Sequence, residues 1–397
     1  MGNAFEFKTI QDMERYYYGG IGAMLNETET IAKADAPITI GTTGVYNAVY
    51  GAKVWSILNH EANVFGVLPK VPWARAGHRV ITARSATMPF GGRAEAATLP
   101  DSVKPTISVF KTTPKTNASV YELSELERAL AEQSEDDVGP DYAQLVAYAG
   151  IEHAEDINVA LTTQNGTLAG DQFDSIDRVV ASYSELSNCR ENDEITSYSA
   201  GDLDIYGLDR DGGASFADAY VNHNSSTLRS LTDEIIRDVL VNVQQNGGQP
   251  TLWLTGWDTY SAITGLYDIQ VRYSVLGQTT AKIGVNGIQT QDGIGVGINV
   301  ATLYGIPLII SKNVVQDAQS SGGISRLYLL DTSNPEGDDY PRLCFKVLKP
   351  TQFFEAGITS GTPFGVNKLS DKIMYRTAGE LTCRHFKAQG KARDLKK

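Results

Sequence analysis

A chain of 397 residues is long enough for roughly two to three domains, or for one domain carrying large insertions. Its 47 acidic against 34 basic side chains leave a net charge of -13, which weighs against a protein whose main affinity is for nucleic-acid phosphates. Three scattered cysteines, Cys189, Cys344 and Cys383, show no CxxC spacing, so neither a disulfide framework nor a thiolate zinc site is expected. No apolar run approaches the ~20 residues that span a bilayer. The N-terminal MGNAFEFKTIQDMERYYYGG lacks the basic-then-apolar shape of a signal peptide, and a soluble, intracellular chain is expected.

Residues 1–50 mix a Tyr-rich segment (Tyr16, Tyr17, Tyr18) with Gly, Ala and Thr in "ADAPITIGTTG". Without periodicity such a segment cannot close its own core, and it reads as an arm that packs on something else. Val54, Ile57, Leu58, Ala62 and Phe65 suit a short helix, followed by the proline-marked turn "LPKVPW". "HRVITARSA" (His78–Ala86) and "TISVFKTTPK" (Thr106–Lys115) read as strands, the second with Ile107, Val109 and Lys111 on one side and Ser108, Phe110 and Thr112 on the other. The intervening Gly-, Ala- and Pro-rich stretch, with "PFGGRAEAATLP" (Pro89–Pro100) at its centre, makes them a long hairpin with a broad tip. A lone hairpin is marginal and needs a partner surface.

"SVYELSELERALAEQSEDD" reads as a polar, acid-rich helix-like segment. In "VGPDYAQLVAYAGIEHAEDINVALTT" the stripe Tyr142, Leu145, Val146, Ala149, Ile157, Ala160, Leu161 predicts a helix of about 24 residues, ~36 Å long, with a solvated "EHAED" side. Asp174 is the expected N-cap of a shorter helix carrying Phe173, Ile176, Val180 and Tyr183. Residues 188–226 are polar and loop-like. A third helix starts after Thr232, runs through Ile235, Val239 and Val243, and stops at Asn246, Gly247, Gly248. "TLWLTG", "YGIPLIISKNV" and "ISRLYLLDT" are apolar strands, with "WDTYSAITGL" a helix capped by Asp258. "RLCFKVLKPTQFFEAG" is a strand, and "KIMYRT" with "ELTCRHF" reads as a hairpin turning at Ala378 and Gly379. The end, "KAQGKARDLKK", is a basic tail. Helices alternating with strands give an α+β class.

Motifs for chemistry are sparse. There is no glycine-lysine phosphate loop, no G-x-S-x-G elbow and no H-E-x-x-H helix, and "GIGVGINV" lacks the third glycine of a dinucleotide fingerprint. "DLDIYGLDRDGG" offers Asp202, Asp204, Asp209 and Asp211 but neither EF-hand spacing nor a closing Glu, and reads as a solvated turn. His153 stands among carboxylates in "EHAED", read as a charged helix side rather than a metal site, and Cys189 beside Arg190 reads as a loop cysteine. "FGGRAEAA" holds two glycines and an arginine without a helix start after them, which favours a contact-making tip over an anion-binding loop. No enzyme activity, cofactor or metal is expected.

The order of elements, with "GGRAEAATLP" followed by "YELSELE", "FDSIDRVVAS", and "LYGIPLIISKNV" with "LYLLDT", resembles the HK97-like major capsid proteins of tailed double-stranded DNA viruses from about residue 40 to 390. The resemblance implies an N-terminal arm (1–52), a linking helix and turn (53–73), an extended β-hairpin loop (74–120), and a peripheral domain part with the spine helix (121–172). A mixed α+β axial domain (173–335) and a second peripheral part with a basic C-terminal tail (336–397) complete it. It implies a protein that self-assembles as hexamers and pentamers into an icosahedral shell around viral DNA, made in the host cytoplasm and residing in the virion. An encapsulin-like cargo compartment is the alternative, and an unrelated α+β enzyme or binding protein the next.

Under the resemblance, partners would be other copies of the chain, portal and scaffolding proteins, decoration proteins and packaged DNA, with no membrane. The loop tip (Phe90, Gly91, Gly92, Arg93, Glu95) and the arm tyrosines Tyr16, Tyr17 and Tyr18 would make inter-subunit contacts. The tail residues Arg384, Lys387, Lys391 and Arg393 either face DNA, pair with an acidic patch such as Glu132–Asp137 of a neighbour, or stay solvated. With Arg93 at the tip and the nearest lysines at Lys104 and Lys111, no covalent crosslink is expected from the loop.

Overall fold

The structure, a computed structural model, describes residues 63–74, 76–83, 95, 104–125, 142–163, 172–188, 205–210, 214–271, 301–318, 321–335, 337, 340–357, 361 and 368–397. In chain order its elements begin with α1 (Asn63–Val67), β1 (Lys70–Pro72), the strands β2 (Gly77–Ala83), β3 (Thr106–Lys111) and β4 (Lys115–Ser124), and the helices α2 (Tyr142–Thr162), α3 (Ile176–Val179) and α4 (Tyr183–Asn188). Then come β5 (Tyr220–Asn222), β6 (Arg229–Ser230), α5 (Asp233–Gln245), β7 (Leu252–Thr255), α6 (Trp257–Val271), β8 (Ala301–Leu303), β9 (Ile306–Ile310) and β10 (Leu327–Leu330). The long strands β11 (Leu343–Ala356) and β12 (Ser370–Cys383) and the short β13 (Gly390–Ala392) and β14 (Leu395–Lys396) close the chain.

Two units divide it, one of Met1–Leu58, Ser119–Gly150 and Phe353–Tyr375, the other of Asn59–Ala118, Ile151–Gln352 and Arg376–Lys397. In the larger, a six-stranded mixed sheet runs β5-β13-β10-β7-β9-β8. The residues of β7 and β10 are all buried, which is why "LWLT" and "LYLL" read as continuous apolar runs rather than alternating ones. Ile236, Val239 and Val243 of α5 pack with Trp253, Leu308 and Leu329 on one side of this sheet. Leu254, Ile309, Tyr328 and Leu330 face a second cluster with Phe173, Ile176, Phe345 and Leu381. The helix α5 ends where Gly247 takes φ +80, a left-handed position that glycine fills without steric cost.

In the smaller unit, Leu123, Ala149 and Ile373 are buried. Glu122 accepts from the Ser370 hydroxyl at 2.6 Å and pairs with Lys368 at 3.4 Å, and the Tyr375 hydroxyl donates to the Val146 carbonyl at 3.1 Å.

Several expectations need correction. "LPKVPW" is not a simple turn: β1 pairs in parallel with Phe345–Val347 of β11. "SVYELS" is the end of strand β4, whose burial alternates along the chain as a half-buried strand requires. The segment after Asp174 forms two short helices, and the N-cap is Ser175, whose hydroxyl accepts from the Arg178 amide at 3.2 Å. Asp258 stands inside the first turn of α6 rather than at the flanking cap position, and its carboxylate accepts from the Thr259 amide at 2.8 Å and from the Ser325 amide and hydroxyl at 2.7 and 2.6 Å. His153 is not on a solvated side; it is buried, with Nε2 2.8 Å from the Thr377 hydroxyl.

Ala378 and Gly379 do not turn the chain, because β12 is one strand from Ser370 to Cys383. A Cβ on Gly379 would lie 2.4 Å from the Lys346 carbonyl oxygen and 2.7 Å from the Phe345 ring, so the glycine serves close approach, not a bend. Gly379→Ala is therefore expected to destabilise the protein by about 1–3 kcal/mol in urea unfolding, the cost of overpacking a filled core. An unchanged midpoint would contradict this packing.

Candidate functional site

Two places in the larger unit concentrate unusual side chains: the hairpin and a buried cluster of charges. In the hairpin, β2 and β3 pair antiparallel, with Ile81 opposite Ile107, Arg79 opposite Val109 and Gly77 opposite Lys111 on one face. Opposed residues share a face and the period is two, so His78, Val80, Ser108 and Phe110 lie on the other. Phe110 is 1% exposed, whereas Ile81, Ile107 and Val109 are 64%, 56% and 54% exposed. One face is thus a buried anchor, the other an apolar patch in water, flanked by the exposed Arg79 and Lys111.

The anchor is well tied. The Phe110 ring stacks on Tyr206 at 5.8 Å between centroids and meets Phe386 at 6.3 Å. The Lys111 amide donates to the Tyr206 carbonyl, and the Thr112 amide to that of Ala76. Just beyond, Lys115 at the start of β4 lies 3.2 Å from Asp174 and 3.0 Å from Glu380. Burial, and then the neighbouring Asp174, push the Glu380 carboxyl up to about 8.

The charged cluster knits the chain end into the body. Asp177 accepts from Arg326 and the Tyr328 hydroxyl at 2.8 Å each and from Lys391 at 2.9 Å. Glu185 binds Lys391 and Arg393, each at 2.7 Å. Asp317 accepts from Arg326 Nε at 2.8 Å and Arg393 at 3.2 Å, while Asp394 accepts from the Asn224 and Ser226 amides at 2.7 and 3.1 Å. All these charged groups are buried. Burial alone would raise the Asp177 carboxyl, but Arg326 and Lys391 beside it hold it well below the usual carboxylate range. Glu185 and Asp317 are likewise lowered, against burial, by their cationic neighbours.

Of the residues singled out from sequence, Phe90, Gly91, Gly92 and Arg93 and the arm tyrosines Tyr16, Tyr17 and Tyr18 lie outside the described residues, and Glu95 is an exposed turn position. The tail expectation is corrected for two residues: Lys391 and Arg393 are buried in the ion cluster rather than turned outward to DNA or a neighbour. Arg384 is half-buried and donates to the Tyr340 carbonyl, and only Lys387 of the four is exposed. The C-terminal stretch supplies β13, between β5 and β10 in the six-stranded sheet. Asp202, Asp204, Asp211, Cys189 and "GIGVGINV" lie outside the described residues, and no cluster of metal-ligating side chains occurs among the described ones. No helix among them is long and apolar enough to cross a membrane.

Removing one partner from a buried ion pair strands the others, so Lys391→Met is expected to cost about 3–5 kcal/mol in chemical unfolding. Carboxylates held below their unfolded values add stability above about pH 4 that is lost as pH falls through the lower folded values. Wild type should therefore lose stability steeply below about pH 4. A Lys391→Met protein as stable as wild type would contradict the cluster.

Residues 109–301 match the family model described as SU10 major capsid protein. No curated protein matches the chain. Among solved structures, the capsid asymmetric unit of Cyanophage A-1(L) aligns with a TM-score of 0.55 at 13% identity, over 87% of this chain and 96% of that one. The capsid of a native GTA particle gives 0.52 at 11% identity, over 92% of this chain and 98% of that one, and that of an empty GTA particle 0.51 at 9%, over 86% and 98%. At these identities the likeness is one of fold, and the family match is to a capsid protein, which leaves the encapsulin reading the less supported of the two. Over most of its length the chain therefore has the fold of these capsid proteins, with a match to a major capsid protein family across residues 109–301.

Proposed function

We propose that the chain forms hexamers and pentamers that close into an icosahedral shell around double-stranded DNA, with the hairpin laid over an adjacent copy. The observation that carries this is the apolar face of β2 and β3, where Ile81, Ile107 and Val109 stand more than half exposed while Phe110 behind them is buried. Scattered exposed apolar residues are ordinary, but three on one hairpin face form a patch suited to a partner. A two-stranded sheet gains stability from covering that face, and a second copy supplies the cover at every symmetry-related site at once. Each contact is modest, and closure of the shell multiplies them.

The N-terminal arm, with Tyr16, Tyr17 and Tyr18, serves in this reading to tie neighbouring capsomers together, and the tip residues Phe90 to Arg93 and Glu95 extend the hairpin's contact. The net charge of -13 suits a container that must not trap DNA while it fills. Portal, scaffolding and decoration proteins are the further partners, and synthesis takes place in the host cytoplasm. The role is structural, not enzymatic.

Replacing Ile81, Ile107 and Val109 by Thr keeps β-propensity and removes most of the apolar face. The variant is expected to keep the wild-type circular dichroism spectrum and monomer melting temperature while shells disappear from negative-stain images. Shells at wild-type yield would overturn the role of this face.

A further inference from the structure

At the root of the hairpin two acids meet on one ammonium. Lys115, the first residue of β4, lies 3.2 Å from a carboxylate oxygen of Asp174 and 3.0 Å from Oε2 of Glu380 on β12. Asp174 has a further cation, Arg178, at 3.8 Å. Glu380 is the more enclosed acid, its side chain 1% exposed against 10% for Asp174. Its Oε1 accepts from the amides of Asp174 and Leu381 at 2.8 and 2.9 Å, which leaves Oε2 as the oxygen able to carry a hydrogen while a lone pair still faces the ammonium.

We propose that one proton is part of this tie: Glu380 holds it as a neutral carboxyl, Asp174 serves as the anion for Lys115, and loss of the proton in mild alkali weakens the hairpin root. Two carboxylates gathered on one cation away from water disfavour a second negative charge, because the shared ammonium returns less than it costs to desolvate both. Other groups near Glu380 leave that balance in place. The Tyr206 hydroxyl donates to the Leu381 carbonyl at 2.7 Å, and burial holds both this phenol and the Cys383 thiol in their neutral forms. On β11, Phe345 meets Phe173 edge-on at 5.3 Å, and the Lys346 ammonium bonds to His78. Burial first, and Asp174 second, raise the Glu380 carboxyl to about 8, against smaller downward pulls from Lys115 and the Asp174 amide. An unfolded chain gives up the same proton near pH 4.3. The stabilisation from this group is therefore full below about pH 4.3, declines as pH rises, and is gone once pH passes the folded value of about 8.

The tie stands behind the face to which the assembly reading gives the inter-subunit contact, but its tests are read on the unassembled full-length protein, apart from shells. Glu380→Gln keeps the acceptor oxygen and the shape of the neutral carboxyl and cannot ionise. Chemical unfolding of wild type and this variant at about pH 6 and about pH 9 compares them, with titrations common to both cancelling in the ratio of their unfolding constants. The wild-type constant is expected to rise about tenfold or more relative to that of the variant between the two pH values. A ratio that stays level or falls marks an ordinary ionised pair and would overturn the proposal. Infrared spectroscopy of the wild type decides the matter where Glu380→Gln does not fold. The carbonyl stretch of a protonated carboxyl should be present at about pH 6.5 and absent by about pH 9, and Asp174→Asn should move its loss to lower pH. No such band at about pH 6.5, or one indifferent to Asp174→Asn, contradicts a proton held at Glu380.

Discussion

Two strands that form a sheet of their own have two faces and one covering. In this protein the constraint falls on β2 and β3, whose inner face is closed by Phe110 against Tyr206 and Phe386 and whose outer face offers Ile81, Ile107 and Val109 to water. Everything else about the hairpin follows from that division. It must be held firmly at its root, or the exposed face would drive it to collapse on its own chain, and it must leave that face available. The ties of Lys111 and Thr112 to the carbonyls of Tyr206 and Ala76, and of Lys115 to Asp174 and Glu380, do the first. Shell assembly is the proposed use of the second.

A hairpin with one apolar face in water needs a rigid body behind it, and the buried ion cluster supplies one. Desolvating so many charges is costly, and the network is tolerable only because nearly every oxygen and ammonium in it has a partner. Its geometry joins α3, α4, β10 and the last residues of the chain, which apolar packing alone would specify less uniquely. The helix α5 and the sheet beside it then behave as a single packed layer, with Gly390 admitted so closely to Val239 and Val243 that a Cβ there would lie 2.8 Å from each.

Much of this architecture was legible in the sequence because it is local. The runs "LWLT" and "LYLL", the stripe of α5 ending at Gly247, and the alternation around Phe110 all carry their own periodicity. What escaped is what depends on distant partners. Lys391 and Arg393 look like any basic tail until Asp177 and Glu185, more than two hundred residues earlier, are brought against them. A signal was present in "GKARD", where small Gly390 and Ala392 alternate with the cations as in a strand, but overall charge masked it. Gly379 has the composition of a turn and the job of a close contact, a distinction only the neighbouring strand makes. His153 belonged to an acidic-looking helix side and is buried because Thr377 waits opposite it.

The central claim is that a second copy of the chain covers the outer face of β2 and β3. A cryo-electron microscopy reconstruction of assembled particles, at a resolution that shows side chains, measures it directly. The account predicts Ile81, Ile107 and Val109 buried against an adjacent subunit in every hexamer and pentamer. Particles in which those three side chains remain in solvent would contradict it.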